Sequence, residues 1–176
     1  MPRLFTGLEI PAEIGQTLSN MRGGLPGARW IDPENYHVTL RFIGDIDGVA
    51  ANEIASLLFR INRKPFEVAL QGLSSFGGRK PRAVVASVVP SRPLIELQAE
   101  LERLMQRFGL DPEGRKFIPH VIAVARRFEP GCCGLPLRAR LFSGASIYGI
   151  AVRAVLVSGL HRRRPYVVED SYALSA

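Results

Sequence analysis

Cysteine is almost missing from this 176-residue chain: the only two, Cys132 and Cys133, stand side by side. Neighbouring cysteines rarely close a disulfide, and there is no CxxC to suggest zinc or redox chemistry. The pair is read as reduced thiols in a cytoplasmic protein. Histidine is nearly as scarce, with three in all. There is no HExxH and no His-Cys cluster, so neither a metal site nor any other cofactor is expected. Gly77-Gly78 is not followed by the Lys-Ser/Thr of a phosphate loop. No apolar run approaches the roughly 18 residues of a membrane span. The opening Met1-Pro2-Arg3-Leu4-Phe5 lacks the apolar stretch of a signal peptide. No linker divides the chain, so residues 1–176 are expected to form one domain with two lobes.

What is present is a large apolar fraction, 47%, together with a net charge of +7 and a pI of about 10.1. The first is enough for a sizeable core. The second favours anionic partners such as nucleic acid or phosphorylated small molecules. Two basic stretches, Arg79-Lys80-Pro81-Arg82 and His161-Arg162-Arg163-Arg164, could hold phosphates or be solvated loops.

Along the chain, Arg3 to Ile10 reads as a strand, and Pro11 opens a helix running to about Met21. Gly23 to Gly27 breaks it. A short strand is expected over Ala28 to Ile31, a turn over Asp32 to Asn35, and a strand over His37 to Ile43. Asp47 to Ile61 has helical spacing at Ile54, Leu57, Leu58 and Ile61. Phe66 to Leu70 and Ala83 to Val89 read as strands flanking a basic loop over Ser74 to Arg82. Pro93 to Phe108 is the clearest amphipathic helix, with Leu94, Leu97, Leu101, Leu104 and Phe108 on one stripe and Gly109 as its left-handed cap. Phe117 to Ala125 is a strand. Ile147 to Val157 and Pro165 to Tyr172 form a final hairpin, and Glu129 to Ser146 has no clear pattern. Mixed helices and strands with short connections predict an α+β fold built on antiparallel sheets.

Two of the three histidines lie in matched segments, Tyr36-His37-Val38-Thr39-Leu40-Arg41-Phe42 and Pro119-His120-Val121-Ile122-Ala123-Val124-Ala125-Arg126. Strand residues two apart share a face, so His37 and Thr39 project together while Val38 and Leu40 turn to a core. An imidazole moves a proton, and a neighbouring hydroxyl donates to a phosphoryl oxygen. Two such strands facing each other would place one histidine on each side of a phosphorus. With an ordinary pKa of about 6.5, one ring can serve as base and the other as acid near neutrality, without a metal. Either histidine could also be a hydrogen-bonded structural residue. His161, in a basic hairpin, is read as solvated.

These segments resemble the paired His-x-Thr/Ser-x motifs of the two-histidine (2H) phosphoesterase superfamily. The similarity is greatest to its RNA 2′,3′-cyclic phosphodiesterase branch, also called 2′-5′ RNA ligases. It extends to Arg3 through Pro11, to Gly27 through Gly44 and to Phe117-Ile118-Pro119-His120. The resemblance implies a two-lobed α+β fold with a pseudo-twofold axis, antiparallel sheets lining a central groove and helices outside. It further implies metal-independent opening of a terminal 2′,3′-cyclic phosphate on RNA to a 2′-phosphomonoester, with His37 as acid toward the 3′-oxygen and His120 activating water; the residues alone leave that order open. Thr39, Arg41 and Arg126 would bind phosphate. RNA termini or small cyclic nucleotides are the expected partners, and the protein is expected to be a monomer with no membrane association. Reversal of the chemistry would give 2′-5′ ligation.

The second motif departs from the family pattern. Ile122 stands where Thr or Ser is expected, and Arg126 comes one residue late. A β-bulge could restore the arginine's side of the strand, and a backbone N–H or a nearby arginine could compensate for the missing hydroxyl. An alternative therefore stands beside the hydrolase: an RNA- or nucleotide-binding relative with weakened or lost catalysis. A third reading keeps the chemistry but takes a small nucleotide as substrate.

Overall fold

The computed structural model describes residues 3–23, 28–77, 82–125, 146–147, 153–158 and 167–173. The strands are β1 (Arg3–Glu9), β2 (His37–Asp45), β3 (Val68–Phe76), β4 (Ala83–Val88), β5 (His120–Ala125), β6 (Ser146–Ile147), β7 (Arg153–Ser158) and β8 (Val167–Ala173). The helices are α1 (Ala12–Ser19), α2 (Gly48–Leu58) and α3 (Arg92–Phe108), with a single 3-10 turn at Pro33–Asn35 just before β2. The sheet has the order β6-β3-β4-β5-β2-β1-β7-β8, and every described pairing is antiparallel. This is the α+β class expected from the mixture of elements. The two histidine strands, β5 and β2, are the central neighbours of that order.

One core joins the three helices to the sheet. Leu18 of α1, Ile54 and Leu58 of α2, and Leu94, Leu97, Leu101 and Met105 of α3 pack with Leu4, Leu8, Val38, Leu40, Val88 and Val121 of the strands. On α3 the fully buried fourth member of the stripe is Met105 rather than Leu104, which is only partly buried. Met105 lies one helical turn beyond Leu101, and its unbranched side chain fills the gap there. Gly109 caps α3 at φ 104°, with the Leu110 N–H bonded to the Met105 carbonyl and the Gly109 N–H to the Gln106 carbonyl. That is the left-handed cap anticipated from the glycine. Asp47 caps α2, accepting from the Ala50 N–H at 2.8 Å.

Several boundaries differ from the sequence reading. Strand β3 begins at Val68 and runs on to Phe76, through residues expected in a loop. Leu70 pairs with Val88 and Leu73 with Ala86, so β3 holds one extra residue, and Gly72 lies there at φ 63°. The glycine makes a bulge that bends the strand instead of ending it. In place of a strand over Ala28 to Ile31 there is a single bridge from Trp30 to Val124. Strand β5 starts at His120 rather than Phe117. The patternless stretch after Glu129, the cysteines, Arg126 and His161-Arg162-Arg163-Arg164 lie outside the described residues.

Candidate active site

Alternation along β2 and β5 builds the site. Val38 and Val121 are cross-strand partners, and both are fully buried in the helix-facing core. Their neighbours must therefore face the opposite side of the sheet. Carrying the register one residue each way sets Thr39 across from His120 and His37 across from Ile122. His37 and His120 are then diagonal neighbours, about 7–8 Å apart at Cα. The four residues that the two motifs single out thus meet on one face.

Both histidine strands are bulged at the same point. Gly7 pairs with Thr39 and Thr6 with Arg41, leaving Leu40 as the extra residue of β2. Val85 pairs with Ile122 and Val84 with Val124, leaving Ala123 as the extra residue of β5. Each bulge falls three residues after its histidine. Past it the alternation is inverted.

Both rings are also held in the same way. Nδ1 of His37 lies 2.8 Å from the Asn35 carbonyl oxygen, and Nδ1 of His120 lies 2.6 Å from the Ile118 carbonyl oxygen. A carbonyl only accepts, so in each ring Nδ1 carries the hydrogen. Nε2 is then the atom through which each imidazole exchanges a proton. Aromatic rings brace the pair: Phe5 is 4.6 Å from His37 between centroids, and Phe76 meets His120 edge-on at 4.7 Å. A Cβ at Gly7 would stand only 3.1 Å from the Val38 carbonyl oxygen, and in ordinary contact, 3.5 Å, with His37 Cδ2 and Phe5 Cε2.

Burial pushes the His37 pKa below its ordinary 6.5; the hydrogen bond to Asn35 opposes this, and the charge of a protonated His120 adds to it. The two rings therefore sense each other electrostatically.

Arg41 does not join this face. Beyond the Leu40 bulge its side chain turns to the helix side, only 7% exposed, with Nε 2.6 Å from a Glu102 oxygen on α3. Its other nitrogens donate to the Phe42 carbonyl and, at 2.5 Å, to the Asp111 carbonyl. Glu102 also accepts from Gln106 at 2.9 Å and from the Glu113 N–H at 3.0 Å. Burial raises the Glu102 pKa, but these hydrogen bonds and the Arg41 charge outweigh it and hold the carboxyl below its ordinary value. The expectation that Arg41 binds phosphate is thus corrected: its guanidinium is consumed in fastening β2 to α3 and to the segment leading toward β5. Phe5, Phe76 and the two ring-holding carbonyls were not singled out from sequence. Among the described residues there is no group of three or more His, Cys, Asp or Glu placed to hold a metal ion. Nor is any described helix long and apolar enough to cross a membrane.

A family model described as LigT like Phosphoesterase matches residues 8–86. The RNA 2′,3′-cyclic phosphodiesterase of Geobacillus stearothermophilus is 30% identical over 132 residues, which cover 71% of this chain and 42% of that protein. The one from Aeropyrum pernix is 36% identical over 100 residues, covering 56% of each. The chain spans about half the length of these curated relatives. Among solved structures, a Thermus thermophilus protein superposes with a TM-score of 0.82 at 22% identity, over 98% of this chain and 97% of its own. Escherichia coli LigT complexed with 3′-AMP gives 0.75 at 23% identity, over 99% of both. These last two likenesses concern the fold, and the paired histidine strands agree with the family match. Over residues 8–86 the chain is similar to the LigT-like phosphoesterases, and over longer stretches to these curated cyclic phosphodiesterases.

Proposed function

We propose that this chain is an RNA 2′,3′-cyclic phosphodiesterase that opens a terminal cyclic phosphate to a 2′-phosphomonoester by two-histidine acid/base catalysis. The observation that carries the reading is the matched tethering of the two rings. Each Nδ1 is bound to the carbonyl two residues upstream, on neighbouring strands whose register sets both rings on one face. That pattern leaves both Nε2 atoms for proton exchange on one face, as a pair of proton carriers needs.

In the proposed reaction a water oxygen attacks phosphorus while Nε2 of His120 takes its proton. The bond from phosphorus to the 3′-oxygen breaks, and Nε2 of His37 delivers a proton to that oxygen. Thr39, facing His120, donates to a non-bridging oxygen. The free protein holds His37 below its usual pKa, so the proton it gives must be stabilised by the substrate. A phosphate anion between the rings supplies that, because a nearby negative charge raises an imidazole's pKa. The relatives named RNA 2′,3′-cyclic phosphodiesterase support the substrate class. Attack by the 5′-hydroxyl of a second RNA in place of water, with the same loss of the 3′-oxygen, would be the 2′-5′ ligase direction.

The test is incubation with 2′,3′-cyclic AMP and identification of the product. The expected outcome is 2′-AMP, unaffected by EDTA and abolished by His37→Ala and by His120→Ala. Full activity in either variant defeats the mechanism. A second reading, a binding protein with lost turnover, is favoured by one observation: Ile122 places an apolar side chain opposite His37. It predicts tight 2′-AMP binding with no hydrolysis.

A further inference from the structure

The second histidine motif lacks its hydroxyl, yet a neighbouring strand brings one to the same histidine. Ser87 of β4 is the cross-strand partner of His120. Cross-strand partners project from one face, with Cβ atoms about 5 Å apart. Thr39 holds the corresponding position on the other flank, across the β2–β5 seam. Ile122, by contrast, has Val85 as its β4 partner, so no hydroxyl reaches the site there. Nor does Ser87 stand alone: its Oγ is 3.1 Å from Oγ of Ser74 on β3. A hydroxyl has one proton to give and two lone pairs to offer. Either hydroxyl can donate in this contact; with an anion at His120 the favoured arrangement has Ser74 donating, which leaves the Ser87 proton for the phosphoryl oxygen and strengthens it as a donor.

We propose that Ser87 binds the substrate phosphate, donating to a phosphoryl oxygen held at His120 in place of the hydroxyl that Ile122 lacks, with Ser74 as its positioning residue. The proposal rests on the phosphodiesterase reading, and deepens it by assigning a phosphate ligand outside both histidine motifs. It also explains how the departure at Ile122 is compatible with catalysis: the donor comes from the adjacent strand.

The experiment compares wild type, Ser87→Ala, Ser87→Thr, Ile122→Thr and the Ser87→Ala/Ile122→Thr double variant. It measures kcat/KM on 2′,3′-cyclic AMP and calorimetric binding of 2′-AMP. Loss of one donor to a phosphoryl oxygen lowers kcat/KM by about 10²-fold or more, by analogy with oxyanion-site deletions. Ser87→Ala is expected to show that loss and weaker 2′-AMP binding, while Ser87→Thr keeps both near wild type. Ile122→Thr is expected to help more in the Ser87→Ala background than in wild type, since the two hydroxyls serve one oxygen. Ser74→Ala is expected to cost less, and to cost nothing further once Ser87 is alanine. Wild-type kcat/KM and binding in Ser87→Ala overturn the proposal, as does an equal gain from Ile122→Thr in both backgrounds. If Ser87→Ala is destabilised, activity in the hydroxyl-keeping Ser87→Thr decides: activity supports the proposal, and inactivity of a folded Ser87→Thr overturns it. If wild type binds 2′-AMP but hydrolyses nothing, the phosphodiesterase reading falls. Ser87 then stands or falls on whether its alanine variant weakens that binding.

Discussion

Arg41 Nε and a Glu102 carboxylate oxygen lie 2.6 Å apart, joining the strand of His37 to helix α3. The arginine is almost wholly buried, and the glutamate side chain is only 18% exposed. Taking one partner away strands the other's charge, and breaking a buried pair costs about 3–5 kcal/mol. Some exposure of Glu102 puts the expected loss for Glu102→Ala near the lower end, at about 3 kcal/mol. Replacing both, as Arg41→Met/Glu102→Leu, is expected to cost less than either single change. Urea unfolding of the three variants checks this, and a double variant weaker than both singles contradicts it.

Gly7 supports His37 through space rather than through a bond. A Cβ at this position would stand 3.1 Å from the Val38 carbonyl oxygen and 3.5 Å from His37 Cδ2. The carbonyl belongs to the strand ladder and yields little. Gly7→Ala is expected to cost about 1–2 kcal/mol, as overpacking does, and, by pushing on the β2 backbone at Val38, to shift the adjoining His37. Hydrolysis of 2′,3′-cyclic AMP at a temperature where the variant is fully folded should therefore still fall several-fold. Unchanged kcat there would show that the ring tolerates the intrusion.

Asp47 provides the contrasting case. Its carboxylate caps α2 through the Ala50 N–H, on an element that contributes core packing and neither histidine nor any hydroxyl of the site. Asp47→Ala should cost about 1 kcal/mol, the usual value of an N-cap, with kcat/KM unchanged. A loss of activity beyond the loss of folded protein would tie α2 to the site.

The legible parts of this molecule were those set by local periodicity. His37-Val38-Thr39 alternates, so its two polar members share a face, and the apolar spacing of α3 marks its buried side. The same rule misplaced Arg41, which alternation alone sets beside His37 and Thr39. The Leu40 bulge inverts the order, and the arginine's partner, Glu102, comes from a distant helix. Phe76 was hidden for a related reason. Gln71-Gly72 looks like the end of a strand, but Gly72 bends β3 and lets it continue, carrying Phe76 to His120. Ser87 sits in an otherwise apolar run, and only the β4–β5 register gives it meaning. The carbonyls that orient the rings have no sequence signature, since every residue has one.

The depressed pKa of His37 makes a prediction with a definite sign. In the unfolded chain the ring titrates near 6.5, and in the folded protein it titrates lower because burial and the His120 charge oppose its protonation. Above about pH 6.5 neither state binds the proton, so this group leaves stability undiminished. As pH falls below 6.5 the unfolded chain takes the proton first, and stability declines until the folded ring protonates too. His37→Gln should flatten that part of the stability–pH curve. By NMR, the His37 ring should titrate below 6.5 in the free protein. It should move upward in His120→Gln, where the neighbouring charge is gone, and further upward with 2′-AMP bound. A His37 titration that ignores both the His120 substitution and the phosphate would show that the rings are not coupled and do not face a common anion. The two-histidine acid/base mechanism would then lose that support.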